Sequence, residues 1–515
     1  MSGFTKLKSF LKLKELSNNL FDLTNEKNFN SKRINDMCLK AEDFKLNFAA
    51  TNIDEKVLTE LNNLAKETDC LNKMQKMQDG EIVNFINGIE NENNRVLHTA
   101  TRDFYFEKNK KSENFSKENY REFLKLKKFV FDVDKKYENI VQIGIGGSFL
   151  GPKAIFESLK KHKKKNGYFI SNVDPNDYFE VLKDLDLSKT LFISVSKSGS
   201  TLETLTNETI IREILKTKNL NPKDHIASVT MKHSKMDKKK HDYLEIFYIL
   251  DNVGGRFSTT SMAGAVFLSL VFGTDNFESF LKGASKMDKL VLNDFKTNLP
   301  LLAALIGIWH INFLNYNTLA IVPYANDLKY FPSHITQLDM ESNGKSLTKD
   351  NNRVDYKTGP IIFGDIGTNV QHSFFQSVHQ GQNIIPVEFI YFLNFDKIID
   401  KKDNGSTSSE KLLSNLIGQS IALANGFKNP NLNKNFNGNR PNTILIIKDL
   451  SFYNMGSLLS FYEHKIAFQG FIWNINSFDQ EGVELGKKLS NQMLDFFIEN
   501  KKYQLGESYL KSFTD

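Results

Sequence analysis

Two cysteines in 515 residues, Cys38 and Cys70, are too few for a disulfide framework, and their separation matches no paired metal-ligand spacing. Such scarcity fits a reducing interior. An apolar run long enough for a bilayer is also missing: the longest stretches, 262–273 and 299–309, fall short of the ~18 residues a crossing helix needs. Both are expected as buried helices. Residues 1–20 scatter lysines without a continuous apolar segment, so they fail as a secretory signal and read as an amphipathic helix. The expectation is a cytoplasmic protein with no membrane association. Charge of one sign is scarce as well. A net charge of +6 is small for this length and suits an anionic metabolite held at one site better than nucleic acid along an extended surface. The lysine clusters 161–165 and 238–240 read as solvated loops. No metal-ligand cluster, no Gly-x-Ser-x-Gly elbow and no short-period repeat is found. Metal-assisted hydrolysis and acyl transfer therefore lose support.

What is present describes an ordinary globular chain, with 25% charged and 40% hydrophobic residues spread along a length that exceeds one hydrophobic core. Residues 1–115 show spaced apolar positions, few glycines and interleaved charge, the pattern of surface-packed helices. From there the pattern changes to short apolar runs separated by helical segments. The candidate strands are 140–145, 168–170, 191–195, 226–230 and 246–250, followed by 319–322, 361–363, 384–389 and 443–447. That alternation predicts two tandem α/β units with parallel sheets, 116–275 and 276–515. Residues 403–410 read as a polar loop.

Two loops of the first unit have phosphate-binding chemistry. The first strand runs into Gly144-Ile145-Gly146-Gly147-Ser148-Phe149-Leu150-Gly151, where glycines permit close backbone approach. A dinucleotide fingerprint would need glycine in place of Phe149, and a P-loop would need Gly-Lys-Ser/Thr. The third strand delivers Ser196-Lys197-Ser198-Gly199-Ser200-Thr201-Leu202-Glu203 at the start of a helix, so that hydroxyls, amides and the helix dipole converge on an anion. Ser200 and Glu203 also have capping-box spacing, which is the structural alternative.

Groups able to move protons follow. In Leu338-Asp339-Met340-Glu341-Ser342-Asn343-Gly344-Lys345, Glu341 sits within a turn-forming segment just beyond an expected helix, a candidate positioned base. Arg256 follows Gly254-Gly255 and can stabilise an oxyanion. His372, closing Gly367-Thr368-Asn369-Val370-Gln371, is an acid or base near neutral pH, with a buried structural histidine as the alternative. Ser477 and Gln480 have capping-box spacing. Lys487 lies two helical turns after Gln480, either facing the same ligand or pairing with Glu484 in solvent. A phosphate anchor, a carboxylate, an arginine, an imidazole and a lysine together suit proton shuffling on a phosphorylated carbonyl compound.

Several segments together resemble the glucose-6-phosphate isomerase (phosphoglucose isomerase) family, notably Asp339-Met340-Glu341-Ser342-Asn343-Gly344-Lys345 and Trp473-Asn474-Ile475-Asn476-Ser477-Phe478-Asp479-Gln480. Gly144 to Ser148, Ser196 to Thr204, Val253 to Ser258, Gly367 to His372 and Tyr462-Glu463-His464-Lys465 also match. The resemblance implies two sugar-isomerase (SIS-type) doubly wound parallel-sheet domains with helical N- and C-terminal additions. It implies reversible interconversion of glucose 6-phosphate and fructose 6-phosphate through a cis-enediol, without a cofactor. By the same resemblance Glu341 carries the proton and Arg256 stabilises the enediolate, while His372 and Lys487 assist ring opening. Ser196, Lys197, Ser198 and Thr201 bind phosphate, Gly147 and Ser148 face the sugar, Gln337 and Gln480 contact ligand, and Glu203 supports. A homodimer sharing its active sites through His372 is implied too. The rival readings are a non-catalytic sugar-phosphate-binding regulator and an isomerase that also accepts mannose 6-phosphate.

Overall fold

Two β-sheets organise the chain in a computed structural model that describes residues 3–104, 110–395, 399–499 and 501–514. The N-terminal region carries helices at Lys8–Leu16, Glu55–Glu67 and Cys70–Gln78, as its apolar spacing predicts. It also carries strands that spacing did not reveal: β1 (Cys38–Ala41) pairs antiparallel with β2 (Phe44–Asn47), and β3 (Ile82–Ile86) with β4 (Ile89–Arg95). These strands are short and mixed in polarity, so they give little period-two signal.

The first sheet is parallel throughout. It comprises β5 (Asn139–Ile143), β6 (Asn166–Ile170), β7 (Thr190–Val195), β8 (Ile226–Thr230) and β9 (Ile246–Tyr248), in spatial order β6-β5-β7-β8-β9. β5, β7 and β8 are buried along their whole length, as expected where helices cover both faces of a parallel sheet. The chain leaves β5 to one side for β6 and returns on the other side for β7. Strand order therefore reverses between β5 and β7, and the loops after their carboxyl ends flank the crevice where such sheets bind ligands.

The second sheet contains β10 (Thr318–Pro323), β11 (Ile361–Phe363), β12 (Val387–Asn394) and β15 (Asn442–Asp449), parallel to one another in the order β11-β10-β12-β15. β2 adds antiparallel to β15, with Phe44 opposite Ile447, so the N-terminal region completes this sheet. Residues 403–410 are not a loop. β13 (Lys402–Asp403) and β14 (Ser406–Thr407) form a small hairpin, and a capping box between Thr407 and Glu410 starts the helix Ser408–Asn425. The polar residues read as loop-forming are a hairpin turn and a helix cap.

The apolar stretches at 262–273 and 299–309 are the buried helices Met262–Phe272 and Leu299–Ile308. The buried helix Phe452–Trp473 packs on Thr274–Leu290, Leu299–Ile308 and Phe331–Asn343. Inside this packing, Arg102 pairs with Asp288 at 2.7 Å and Glu463 at 2.6 Å, and His464 Nε2 meets Asp288 at 2.7 Å, all fully buried. Stripping one partner from such a network leaves a charge without compensation, at a cost of about 3–5 kcal/mol. No helix among the described residues is long and apolar enough to cross a membrane.

The contacts divide the chain into two compact units, Met1–Ser477, which holds both sheets, and Phe478–Asp515. The smaller unit consists of a 3-10 turn, Glu481–Val483, and the helices Glu484–Glu499 and Gln504–Thr514.

Candidate active site

The loop after β7 begins with Ser196, whose Oγ lies 2.8 Å from Thr201 Oγ1 and accepts from the Thr201 amide at 3.4 Å. Gly199, at φ +65, lets the chain double back between them, and the Ser200 hydroxyl donates to Ser198 Oγ at 2.9 Å. The helix that follows is Leu202–Thr217, and its N-cap is Thr201, which makes no side-chain capping bond. The capping box at Ser200 and Glu203, the structural alternative to an anion site, is therefore not formed. Ser200 is engaged with Ser198, and the loop ends at the N-terminus of this helix, where first-turn amides have no intrahelical acceptor. Lys197 is half-buried, and burial lowers its ammonium pKa, opposed by the nearby Asp251.

The glycine loop after β5 lies beside this one. A Cβ on Gly144 would stand 3.4 Å from the Val195 carbonyl oxygen, and one on Gly147 would overlap the Gly255 carbonyl and come within 2.7 Å of the Arg256 amide. Gly147 is thus required by the close passage of two backbones. Gly146, at φ +59, faces Gln337, whose Nε2 would be 3.3 Å from a Cβ there. Ser148 follows in the same 3-10 turn, Gly146–Ser148, and is half-buried.

Arg256 lies in the 3-10 turn Gly255–Phe257 and is only 2% exposed, so its charge needs fixed partners. Nε donates to Ser342 Oγ at 2.7 Å, Nη1 to Glu341 Oε2 at 3.2 Å, and Nη2 to the Ser477 carbonyl at 2.7 Å. Glu341 keeps 31% of its side chain exposed, and Gln337 Nε2, one turn earlier, lies 3.4 Å from each of its carboxylate oxygens. The expectation of a loop-borne carboxylate is corrected here: Glu341 belongs to the last turn of the helix Phe331–Asn343. Turn propensity in Ser-Asn-Gly is overridden because Ser342 and Asn343 are buried and hydrogen-bonded in tertiary contacts.

Other expected residues stand elsewhere. His372 ends the 3-10 turn Asn369–His372 and is exposed, against the alternative of a buried structural imidazole. Ser477 caps no helix: its hydroxyl donates to Asn343 Oδ1 at 2.8 Å. Gln480 has non-helical backbone angles and precedes the helix that starts at Glu484, so the helical face it was expected to share with Lys487 does not exist. Lys487 pairs with Glu484 at 2.7 Å within the smaller unit. Glu203 is half-buried in the first turn of its helix. Ser342 and the Ser477 carbonyl, which hold Arg256, were not singled out from sequence. Nothing local marks a hydroxyl or a carbonyl as the partner of an arginine far along the chain.

The arrangement brings a hydroxyl-rich loop at a helix start, a backbone cradle, a buried guanidinium and an accessible carboxylate together in the larger unit, on segments from both sheets. Residues 47–509 match the model of the phosphoglucose isomerase family. The chain is 47% identical over 497 residues to glucose-6-phosphate isomerase of Chlamydia muridarum, covering 96% of this chain and 95% of that protein. It is 46% identical over 525 residues to the enzyme of Protochlamydia amoebophila, covering 99% and 97%. The crystal structure of a glucose-6-phosphate isomerase from Chlamydia trachomatis superposes with a TM-score of 0.96 at 43% identity, covering 100% of this chain and 99% of that one. This chain belongs to the phosphoglucose isomerase family.

Proposed function

We propose that this chain interconverts glucose 6-phosphate and fructose 6-phosphate, with Glu341 as the proton carrier. The observation that supports this most is the contact of Arg256 with Glu341 beside the two phosphate-type loops. Ser196, Lys197, Ser198 and Thr201 hold the phosphate, Gly147 and Ser148 face the sugar, and Gln337 and Gln480 orient it. His372 and Lys487 transfer protons that open the ring, and Glu203 holds a supporting position. In the aldose-to-ketose direction Glu341 removes the C2 proton, O1 gains a proton as the enediol forms, and Arg256 faces the developing charge on oxygen. Glu341 then delivers its proton to C1 while O2 loses one, leaving the ketose. Carbon oxidation at C2 balances reduction at C1, so no external electron acceptor enters.

Residues 116–275 act in this reading as the anchor domain and 276–515 as the domain of the base, with 1–115 added to them. The protein works in the cytoplasm as a homodimer in which His372 reaches the partner's site. Two unbridged cysteines fit a reducing compartment, and the exposed imidazole fits a role outside its own protomer. The test is a coupled assay that follows glucose 6-phosphate formed from fructose 6-phosphate by purified protein, read beside sedimentation over a dilution series. Turnover that falls as the dimer dissociates is the expected result. Sugar-phosphate binding without turnover removes the enzyme reading, and full turnover by a monomer removes the shared site.

A further inference from the structure

From the Arg256 nitrogen that does not meet Glu341, a line of hydrogen bonds runs to buried groups. Arg256 Nη2 donates to the Ser477 carbonyl at 2.7 Å, the Ser477 hydroxyl donates to Asn343 Oδ1 at 2.8 Å, and Asn343 Nδ2 donates to Asp339 Oδ1 at 3.1 Å. Ser477, Asn343 and Asp339 are each 3% exposed or less. The orientation of the Asn343 amide follows from its surroundings. Nδ2 also faces the Ile466 carbonyl at 3.3 Å and Gln469 Oε1 at 3.5 Å, so every neighbour on that side is an acceptor and Oδ1 is left for the serine hydroxyl. Packing makes room for this line. A Cβ on Gly470 would overlap Ser477 Oγ, and one on Gly359, at φ +57, would press within 2.8 Å of the Asn343 carbonyl carbon.

The Asp339 carboxyl at the far end faces Lys465, itself paired with Glu388, across the core. Burial pushes Asp339 up to about 7. A carboxyl this deep needs a donor, and Asn343 supplies one; that bond in turn fixes which way the amide points.

We propose that Asn343 and Ser477 are positioning residues for Arg256: the line from Asp339 through Asn343 sets the Ser477 carbonyl that holds one arm of the guanidinium, and with it the stance of Arg256 toward Glu341. This rests on the isomerase reading above. Neither residue touches the reacting atoms. Their effect passes through Arg256, so it belongs to the step in which charge develops on oxygen and not to sugar-phosphate binding.

A double-mutant cycle on the full-length protein tests this. Asn343→Ala and Ser477→Ala should each lower kcat for fructose 6-phosphate about tenfold, with KM changed by less than ~2-fold because uniform binding is untouched. In an Arg256→Lys background, which lacks the arm that reaches the Ser477 carbonyl, Asn343→Ala should cost less than ~2-fold further, since residues acting through one group are not additive. A merely structural role predicts lower thermal midpoints with kcat unchanged at a temperature where the variants are folded, or equal losses in both backgrounds. Either result overturns the proposal. Should Asn343→Ala fail to fold, Ser477→Ala, which removes one hydroxyl, carries the same cycle. Absence of turnover in the unmodified protein would instead overturn the isomerase reading.

Discussion

Arg256 Nη1 lies 3.2 Å from Glu341 Oε2, joining residues 85 positions apart, one following the last strand of the first sheet and the other on a helix between strands of the second. The guanidinium is buried and the carboxylate is half-buried. The pair therefore presents an accessible acceptor backed by a fixed positive charge, the arrangement a proton carrier next to a developing oxyanion requires.

Glu341→Gln keeps the shape of the side chain and the Arg256 contact but cannot take a proton. Loss of kcat by ~10²–10⁴-fold is expected, the usual contribution of a positioned base, with fructose 6-phosphate binding kept within a few fold. Exchange of the sugar C2 proton with solvent reads this directly. Undiminished exchange would place the base elsewhere.

Ser198→Ala combined with Thr201→Ala removes two hydroxyls from the loop after β7, one of which meets Ser196 at 2.8 Å. Contacts to a phosphate remote from the reacting carbons act equally in ground and transition states. KM should rise about tenfold or more, with kcat changed far less. Steady-state kinetics in both directions check it, and an unchanged KM would move the phosphate to another loop.

Gly147→Ala places a methyl group against the Gly255 carbonyl and the Arg256 amide, two backbone groups that cannot swing away like a side chain. A stability loss of about 1–3 kcal/mol is expected from overpacking. Activity should fall by more than stability explains, because the turn that yields is the one that carries Arg256. Thermal melts beside kinetics at a temperature where the variant is folded separate the two effects.

Asp339 gives a pH signature. Burial pushes its folded carboxyl up to about 7, from an unfolded value near 3.8. Between those values the folded chain holds a proton that the unfolded chain has released, so this group lowers stability as pH rises from about 4 to about 7. The contribution levels off above that window. Asp339→Asn has no proton to lose and keeps an oxygen for Asn343. Its thermal midpoint relative to the parent should therefore be higher at pH 7.5 than at pH 4.5. A difference that is independent of pH, or reversed, contradicts the assignment.

Much of the frame is local and was legible in the residues. Apolar runs set β5, β7, β8 and β10 close to their observed limits, because a strand buried on both faces must be apolar at successive positions. The hydroxyl-rich loop before Leu202–Thr217 was readable for a similar reason: a helix start after a strand needs only a few consecutive residues to declare itself.

Other features followed from packing, and there local signals misled. The Ser-Asn-Gly turn signal after Glu341 yielded to a helix that continues through Asn343, since the buried partners of Ser342 and Asn343 outweigh a propensity difference below about 1 kcal/mol. Ser477 shows the spacing of a cap but spends its hydroxyl on Asn343, 134 residues away. The short β1 and β2 gave no apolar run, and they are strands because β15 offers β2 an edge.

The sequence by itself determined the chemistry available to this protein: a carboxylate, a guanidinium, an imidazole, a lysine, a glycine-rich loop and a hydroxyl-rich loop, along with the order of strands that separates them. Only the tertiary structure decided which of these meet. The contact of Arg256 with Glu341 and the support of Arg256 by Ser342 and Ser477 join distant segments, and no local periodicity encodes a distance between them. The burial that holds Arg256 in place exists only once helix Phe331–Asn343 and the turn Gly255–Phe257 have packed together.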